Sequence, residues 1–354
     1  GESGGADPTR PDMEFVRTQR NGVKQVYLPG PSLKGVIRAQ AERICRTLDS
    51  DERQKQQLQQ LKALDQQNTK APALQHKIPL TDNPLGSGKA YQGLDDMDYS
   101  SGRYVESIRE NIKEDPQRTA ILYRRSSFVS QIFGHTSLAG RVRFADAYAD
   151  NPSEIETVVS EEPAPEEIAG KQPKPIRLDE RNGVAIDRIY GSVAVGPFNY
   201  ETLVAGTFTT RIDVKNVTLA HLALLGLALR DLQEHRIALG FGKSRGLGRV
   251  KVTFDRMELR YPLCELKGGN LYQINGRKIA PATHLIGVGK FCADERYQAY
   301  HLPTDDTVPL PKDSGLTYIN DEENLHVVLK AANDDQVKTI WKTCMPAWKQ
   351  VIKL

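Results

Sequence analysis

The chain has 354 residues, room for two or three units, and its 39% hydrophobic and 26% charged content is that of an ordinary globular protein. No window approaches the run of about 18 apolar residues of a membrane span, and Gly1–Asp7 shows neither the basic nor the apolar region of a signal peptide. Cys45, Cys264, Cys292 and Cys344 lie too far apart for a disulfide framework or a zinc ribbon, so a reduced cytoplasm is expected.

In chain order, Glu14–Arg17 and Val23–Leu28 read as short extended segments joined by Asn21-Gly22, a strong hairpin signal. Pro29-Gly30-Pro31 ends the extended run. Ser32 is a plausible N-cap for a helix whose apolar face carries Leu33, Val36, Ile37, Ala41, Ile44, Cys45 and Leu48. Gln54–Gln67, with Leu58, Leu61 and Leu64, reads as a solvated helix, and the Pro- and Gly-bearing 70–98 as a surface excursion rather than core. An apolar Phe128–Phe133 segment stops at Gly134, and Arg141–Tyr148 reads as a strand with exposed arginines. The acidic 151–175 stretch is expected to be a loop without secondary structure. Val184–Tyr190, Ser192–Val195 and Phe208–Val214 are strand candidates, 218–235 is a helix, and Val250, Val252 and Phe254 alternate as in a strand. The tail holds an Asn275-Gly276 turn and a helix over 335–352 that Pro346 should kink; Trp341 and Trp348, seven residues apart, have core spacing.

Formal net charge is only +3, but the charge is segregated. Residues 236–260 carry seven basic side chains against two acidic ones, while 153–167 carry six glutamates and no Lys or Arg. Within the basic stretch, Gly240–Arg249 is rich in glycine. It lacks the P-loop glycine, because Ile237 stands at that position, and its third glycine falls one residue late for a dinucleotide fingerprint. The segment also lies between a helix and a strand candidate, the reverse of both contexts. Glycines let a backbone approach a polyanion, and Lys243, Ser244 and Arg245 suit a phosphate. A tight connector with charged surface residues is the plain alternative.

Tyr27–Arg38, reading YLPGPSLKGVIR, resembles the "IPGSSLKGxxR" signature of the RAMP superfamily, the repeat-associated proteins of CRISPR systems. Ile132-Phe133-Gly134 with Ala139–Ala147 is similar to that superfamily's central "LFG…ARLxxxDA" segment. Asp187–Gly191 with Glu201–Phe208 resembles its "DRxTG…xxExxxxGxxF" segment, and GFGKSRGLGR at 240–249 its C-terminal glycine-rich loop. Within the superfamily the chain looks like the backbone subunit of type III CRISPR effector complexes.

The resemblance implies an α+β, ferredoxin-like (RRM-like) core with a β-hairpin thumb and long insertions. Residues 1–49 and 126–260 would form the core, with the thumb at 183–204 and the glycine-rich loop at 240–249. Residues 50–125 would be an insertion and 261–354 a C-terminal extension. Family members open with a strand leading into a glycine turn, and this chain begins at those glycines. The expectation is a sheet lacking its first strand, with an unpaired or partner-filled edge, in a fragment of a longer polypeptide or a chain completed by another.

The implied partners are guide RNA (crRNA), target RNA and other RAMP subunits or neighbouring RAMP units of the same polypeptide, in a prokaryotic cytoplasm without a membrane. The resemblance further implies target cleavage with Mg²⁺ by one aspartate upstream of the helix signature. Asp12 is the first choice for this role and for the metal, and Asp7 the second; no zinc or nucleotide cofactor is expected. A carboxylate suffices because RNA supplies its own 2′-OH nucleophile. Ser32, Lys34 and Arg38 at the helix start, whose free N–H groups would also meet phosphate, and Gly242, Lys243, Ser244, Arg245 and Gly246 are the expected guide contacts, converging on one strand. Ile186, Arg188, Phe198 and Tyr200 are the thumb candidates, with packing inside the sheet the alternative for the two aromatics. His135, His221 and His235 are expected to be structural or surface residues. A non-cleaving structural subunit and a guide-processing RNase remain alternatives.

Overall fold

Asn21 and Gly22 both take positive φ, 51° and 80°, in the computed structural model, which describes residues 11–65, 71–84, 86, 99–151, 155–157, 176–292 and 298–353. Two such residues make a primed turn whose twist suits a hairpin. Arg17–Arg20 and Val23–Leu28 pair antiparallel across it, with Arg20 opposite Val23. The turn dictates this register, so the first strand is Arg17–Arg20 and not 14–17.

The chain forms two compact units, Gly1–Lys34 with Arg143–Asp213, and Gly35–Val142 with Val214–Leu354. In the first, an antiparallel sheet runs in the order Arg17–Arg20, Val23–Leu28, Ala147–Ala149, Phe208–Thr209. Both arms of the hairpin enter this sheet, and Arg17–Arg20 and Phe208–Thr209 are its edge strands. A second sheet pairs Ile176–Ile186 with Val193–Ala205 antiparallel, and Ile155–Thr157 lies parallel to the former. The 151–175 stretch therefore contributes a strand at 155–157; its remaining residues beyond Asn151 lie outside those described.

Of the expected segments 184–190 and 192–195, Val184–Ile186 and Val193–Val195 are the distal parts of these two long strands, and Asp187–Ser192 are the connection between them. Their ladder continues past Gly196-Pro197 because register shifts near Ala185 absorb the irregularity. Phe208–Val214, in contrast, splits into Phe208–Thr209 and Ile212–Val214. Val26, Ala149, Ile176 and Leu178 form the core of this unit, with Phe15, Leu203 and Phe208 against it.

In the second unit, Leu219–Gln233 begins at Thr218, whose side chain accepts from His221 N–H. Gly226 on this helix is needed for close approach, since a Cβ there would stand 2.4 Å from Trp341. Trp341 and Trp348 are core residues, 7% and 3% exposed. They sit on Asp334–Thr343 and Met345–Lys353, two helices separated at Cys344 just before Pro346, which has no N–H to continue the first. Two three-stranded antiparallel sheets, one of Met257–Pro262, His326–Ala331 and Tyr318–Asp321, the other of Cys264–Lys267, Asn270–Gln273 and Lys278–Pro281, pack around Tyr261, Leu271, Ile286 and Val327. No strand forms at 250–254. Val252 O accepts from the Gln233 side chain and Phe254 N–H donates to Asp334, so side chains replace a ladder.

Leu74 and Ile78 correct the surface-excursion reading of 70–98, of which 70, 85 and 87–98 lie outside the described residues. Leu61, Leu74, Ile78, Tyr99, Tyr104, Val105, Ile108, Ile112 and Ile121 are buried together as a core, with Leu58 and Leu64 of the Asp51–Asp65 helix packed on it. Arg53 is buried with them because Asp49 Oδ1 accepts from its Nε at 2.5 Å and Ile78 O from its guanidinium at 2.9 Å.

Asp306, 3% exposed, accepts the N–H groups of Leu219 and Gly289, each at 3.0 Å. Burial outweighs those hydrogen bonds and pushes its pKa from 3.8 up to about 6. The folded state thus binds the extra proton between those values, so stability falls as pH rises from about 4 to 6 and is level above, a change of about 2–3 kcal/mol. Asp306→Asn, which keeps an acceptor oxygen, is expected to flatten that part of the stability curve in urea unfolding measured from pH 4 to 7.

Candidate nucleic-acid interface

The helix that was expected to start after Ser32 runs from Gly30 to Leu48. Ser32 and Leu33 N–H groups both donate to Pro29 O, at 3.0 and 3.1 Å, and Pro31 has no N–H. Gly30 N–H donates to Asp146 Oδ1 at 2.7 Å. The start of the helix therefore answers its own positive end with a protein carboxylate, and the expectation of free N–H groups for phosphate is corrected. Ser32 is exposed and Lys34 half-buried, so their side chains are what this tip presents. Gly30 is compulsory, because a Cβ would stand 2.2 Å from Phe144 O. The turn carrying Asp146 also divides the expected Arg141–Tyr148 strand into Val142–Phe144 and Ala147–Ala149.

Asp12 lies alongside the Val193–Ala205 strand in the same unit. Its Oδ2 accepts from Asn199 N–H at 2.9 Å, and the next residue, Met13, exchanges hydrogen bonds with Asn199 O and Glu201 N–H. Glu201 holds the following residues: its carboxylate accepts from Phe15 N–H at 2.8 Å and pairs with Arg17 at 2.6 Å. Asp12 is exposed; Asp7 lies outside the described residues.

At the far end of the hairpin, Asp187 Oδ1 accepts from Ile189 and Tyr190 N–H, and this loop exposes Ile189 (84%) and Tyr190 (80%) beside Ile186 (62%). Arg188 is exposed there too. Tyr200 is only 7% exposed and Phe198 covers Gly183, where a Cβ would meet its ring at 2.6 Å, so both aromatics pack in the sheet. Ile189 and Tyr190 were not singled out from sequence. Their position between Asp187 and Gly191, a turn closed by Gly191 N–H to Asp187 O, was the available signal.

In the second unit Gly240, Gly242, Gly246 and Gly248 all have positive φ, from 71° to 87°. Lys243–Arg245 make one 3₁₀ turn between Gly242 and Gly246. Gly248 N–Cα–C lies against the incoming chain: a Cβ would meet Leu239 O at 2.0 Å, and Leu239 N–H donates to Gly248 O at 2.9 Å. The loop is thereby closed at its neck and displays Lys243, Ser244 and Arg245, all exposed. Such a turn can meet a ribose-phosphate chain with cations and a hydroxyl at once.

The family model of the RAMP superfamily matches residues 4–251. The chain belongs to the RAMP superfamily. As a RAMP protein it is a CRISPR-associated, RNA-binding subunit of prokaryotic origin, with the α+β fold of that family. No curated protein matches it. Among the described residues no helix is long and apolar enough to cross a membrane.

Other singled-out residues make contacts within the chain. Arg38 donates to Glu42 (2.9 Å), Gly134 O (2.8 Å) and Ser130 Oγ (3.4 Å), so its guanidinium ties the helix to the Phe133-Gly134 turn. His135 Nε2 lies 2.9 Å from Ser126 Oγ. His221 is buried against Phe128, ring centroids 4.1 Å apart, and desolvation lowers its pKa to about 3, which keeps it neutral. His235 follows the helix in a positive-φ position (59°) and is exposed.

The Gly30–Asp146 contact can be tested by stability. Asp146→Ala is expected to lower unfolding free energy by about 1–2 kcal/mol, Asp146→Asn by less because its amide oxygen can still accept. Gly30→Ala should cost more than either in the same urea titration, since a backbone oxygen must move to admit the methyl group.

Proposed function

We propose that this RAMP protein is a backbone subunit of a type III CRISPR effector complex that holds guide RNA and cuts the paired target RNA at Asp12. The observation that carries the reading is the fixing of Asp12 to the thumb strand through Asn199, in an element whose tip exposes Ile189 and Tyr190. A hairpin that parts a short duplex and a carboxylate anchored on that same hairpin are what cleavage beside a displaced nucleotide requires.

The chemistry belongs largely to the RNA. The 2′-oxygen attacks the adjacent phosphorus in line, the bond to the 5′-oxygen breaks, and the products are a 2′,3′-cyclic phosphate and a 5′-hydroxyl. Asp12 would accept the 2′-hydroxyl proton or orient the reacting group, a contribution of the size general-base groups make. Among the described residues no three His, Cys, Asp or Glu side chains converge on a metal. A lone carboxylate still fits Mg²⁺, which commonly takes one or two carboxylates together with substrate phosphates and water, and Asp12 would be its protein ligand. When bound, the ion would neutralise charge developing on the phosphate.

The Asn199 contact also favours a second reading, in which Asp12 is only a staple in a non-cleaving structural subunit. Asp12→Asn separates the two, because its amide oxygen can keep the Asn199 hydrogen bond. On the cleavage reading, Asp12→Asn and Asp12→Ala bind guide and target RNA within about twofold of the parent and lose at least 100-fold in cleavage rate in gel assays. Equal cutting by Asp12→Asn and the parent rejects the catalytic assignment. The guide-processing alternative has less to stand on, since His135 and His221 are engaged or buried.

A further inference from the structure

Phe241 is an exposed aromatic side chain in the glycine loop. The loop is anchored by its neck, Leu239 N–H to Gly248 O, and by Leu247, whose Cδ1 would lie 2.8 Å from a Cβ on Gly242. Phe241 stands between Gly240 and Gly242, both in left-handed backbone (φ 74° and 71°), and leaves 49% of its surface to solvent. Phenylalanine is ordinarily among the more buried residues. The Arg245 guanidinium carbon lies 5.7 Å from the centre of its ring, so two flat groups, one cationic, are held together at the loop surface. Lys243, Ser244 and Arg249 of the same glycine-rich segment are exposed too.

We propose that Phe241 and Arg245 form a nucleobase-stacking subsite, taking one unpaired base of single-stranded RNA whose phosphates are met by Lys243 and its neighbours. The subsite rests on the RNA-binding reading of the loop and adds a second kind of contact to it. Phosphate contacts respond to salt, whereas stacking on an aromatic face does not release counterions and tolerates any base. The glycines on both sides of Phe241 allow its backbone the turn that keeps the ring outside the packed part of the loop.

The two contributions separate in titrations of the full chain with a fluorescent single-stranded RNA at several salt concentrations. Phe241→Ala and Phe241→Leu are expected to weaken binding about tenfold with the salt slope unchanged, the loss that removal of one stacked base gives. Phe241→Tyr should bind like the parent, because it keeps the ring; the leucine variant keeps apolar bulk without a π face and so distinguishes stacking from packing. Lys243→Ala should instead reduce the salt slope by about 0.7. Phe241→Trp supplies a direct signal: Trp341 and Trp348 are buried, so RNA-dependent quenching relative to the parent reports on residue 241.

If Lys243→Ala weakens binding while Phe241→Leu matches the parent and Phe241→Trp is not quenched, the stacking subsite is overturned and the RNA-binding loop stands. If neither Lys243→Ala nor the Phe241 variants alter binding, the loop does not contact RNA and both readings fall.

Discussion

One carboxylate at one helix start holds the first unit in register. The N–H of Gly30 is the donor that begins the Gly30–Leu48 helix, and Asp146 takes it at 2.7 Å while the same turn brings Phe144 O so near that only glycine fits. Two stretches more than a hundred residues apart are thereby a single piece of structure. A helix beginning in this way has its positive end already compensated. It gains definition at the expense of anion affinity, and the Ser32 and Lys34 side chains are the polar groups that this tip presents.

Glu201 makes a similar junction for the chain that carries Asp12. By holding Phe15 N–H and the Arg17 guanidinium, it fastens the segment ahead of the first hairpin to the Val193–Ala205 strand, while Met13 pairs with that strand's backbone. Asp12 would otherwise belong to a short polar loop with no fixed direction. Here its position is tied to the hairpin, so any movement of the hairpin carries the carboxylate with it. The exposed apolar tip and the carboxylate thus form parts of one lever rather than two independent features.

What the sequence disclosed and what it hid divide along contact range. Asn21-Gly22 declares its turn because both residues tolerate positive φ, and Leu219–Gln233 declares its helix through local periodicity and Thr218. The break before Pro346 follows from a missing N–H. In contrast, nothing local reveals that the 50–125 region has a core. Its Arg124 and Arg125 side chains are 1% and 0% exposed, and both pair with Asp65, some sixty residues earlier, while donating to distant oxygens such as Ala299 O and Pro72 O. The same blindness placed the cap at Ser32, where serine is a good local candidate, when Pro29 and Asp146 satisfy the helix start. Gly196-Pro197 signals a stop, so in the sequence the two long hairpin strands look like fragments, and only cross-strand pairing shows that the ladder continues. For the candidate site, the glycine loop was legible since its residues act within ten positions of one another. The tip residues Ile189 and Tyr190 were missed because exposure of an apolar side chain is a property of the fold, not of the string.

The same distinction governs charge. Counting 48 basic against 45 acidic residues suggests a protein indifferent to RNA. Yet many cations are consumed internally: Arg17, Arg38, Arg53, Arg124, Arg125 and Arg236 all pair with carboxylates. Their charge is cancelled at short range and contributes little field at the surface. In the loop and the extended chain after it, Lys243, Arg249, Lys251 and Arg256 have no ion pair among the described residues. Four cations outside any ion pair within fourteen residues, the first of them on a turn held open by left-handed glycines, produce a local positive potential that the net charge conceals. The force that draws a polyanion to this RAMP protein is therefore set less by how many arginines the chain contains than by which of them its own carboxylates leave alone.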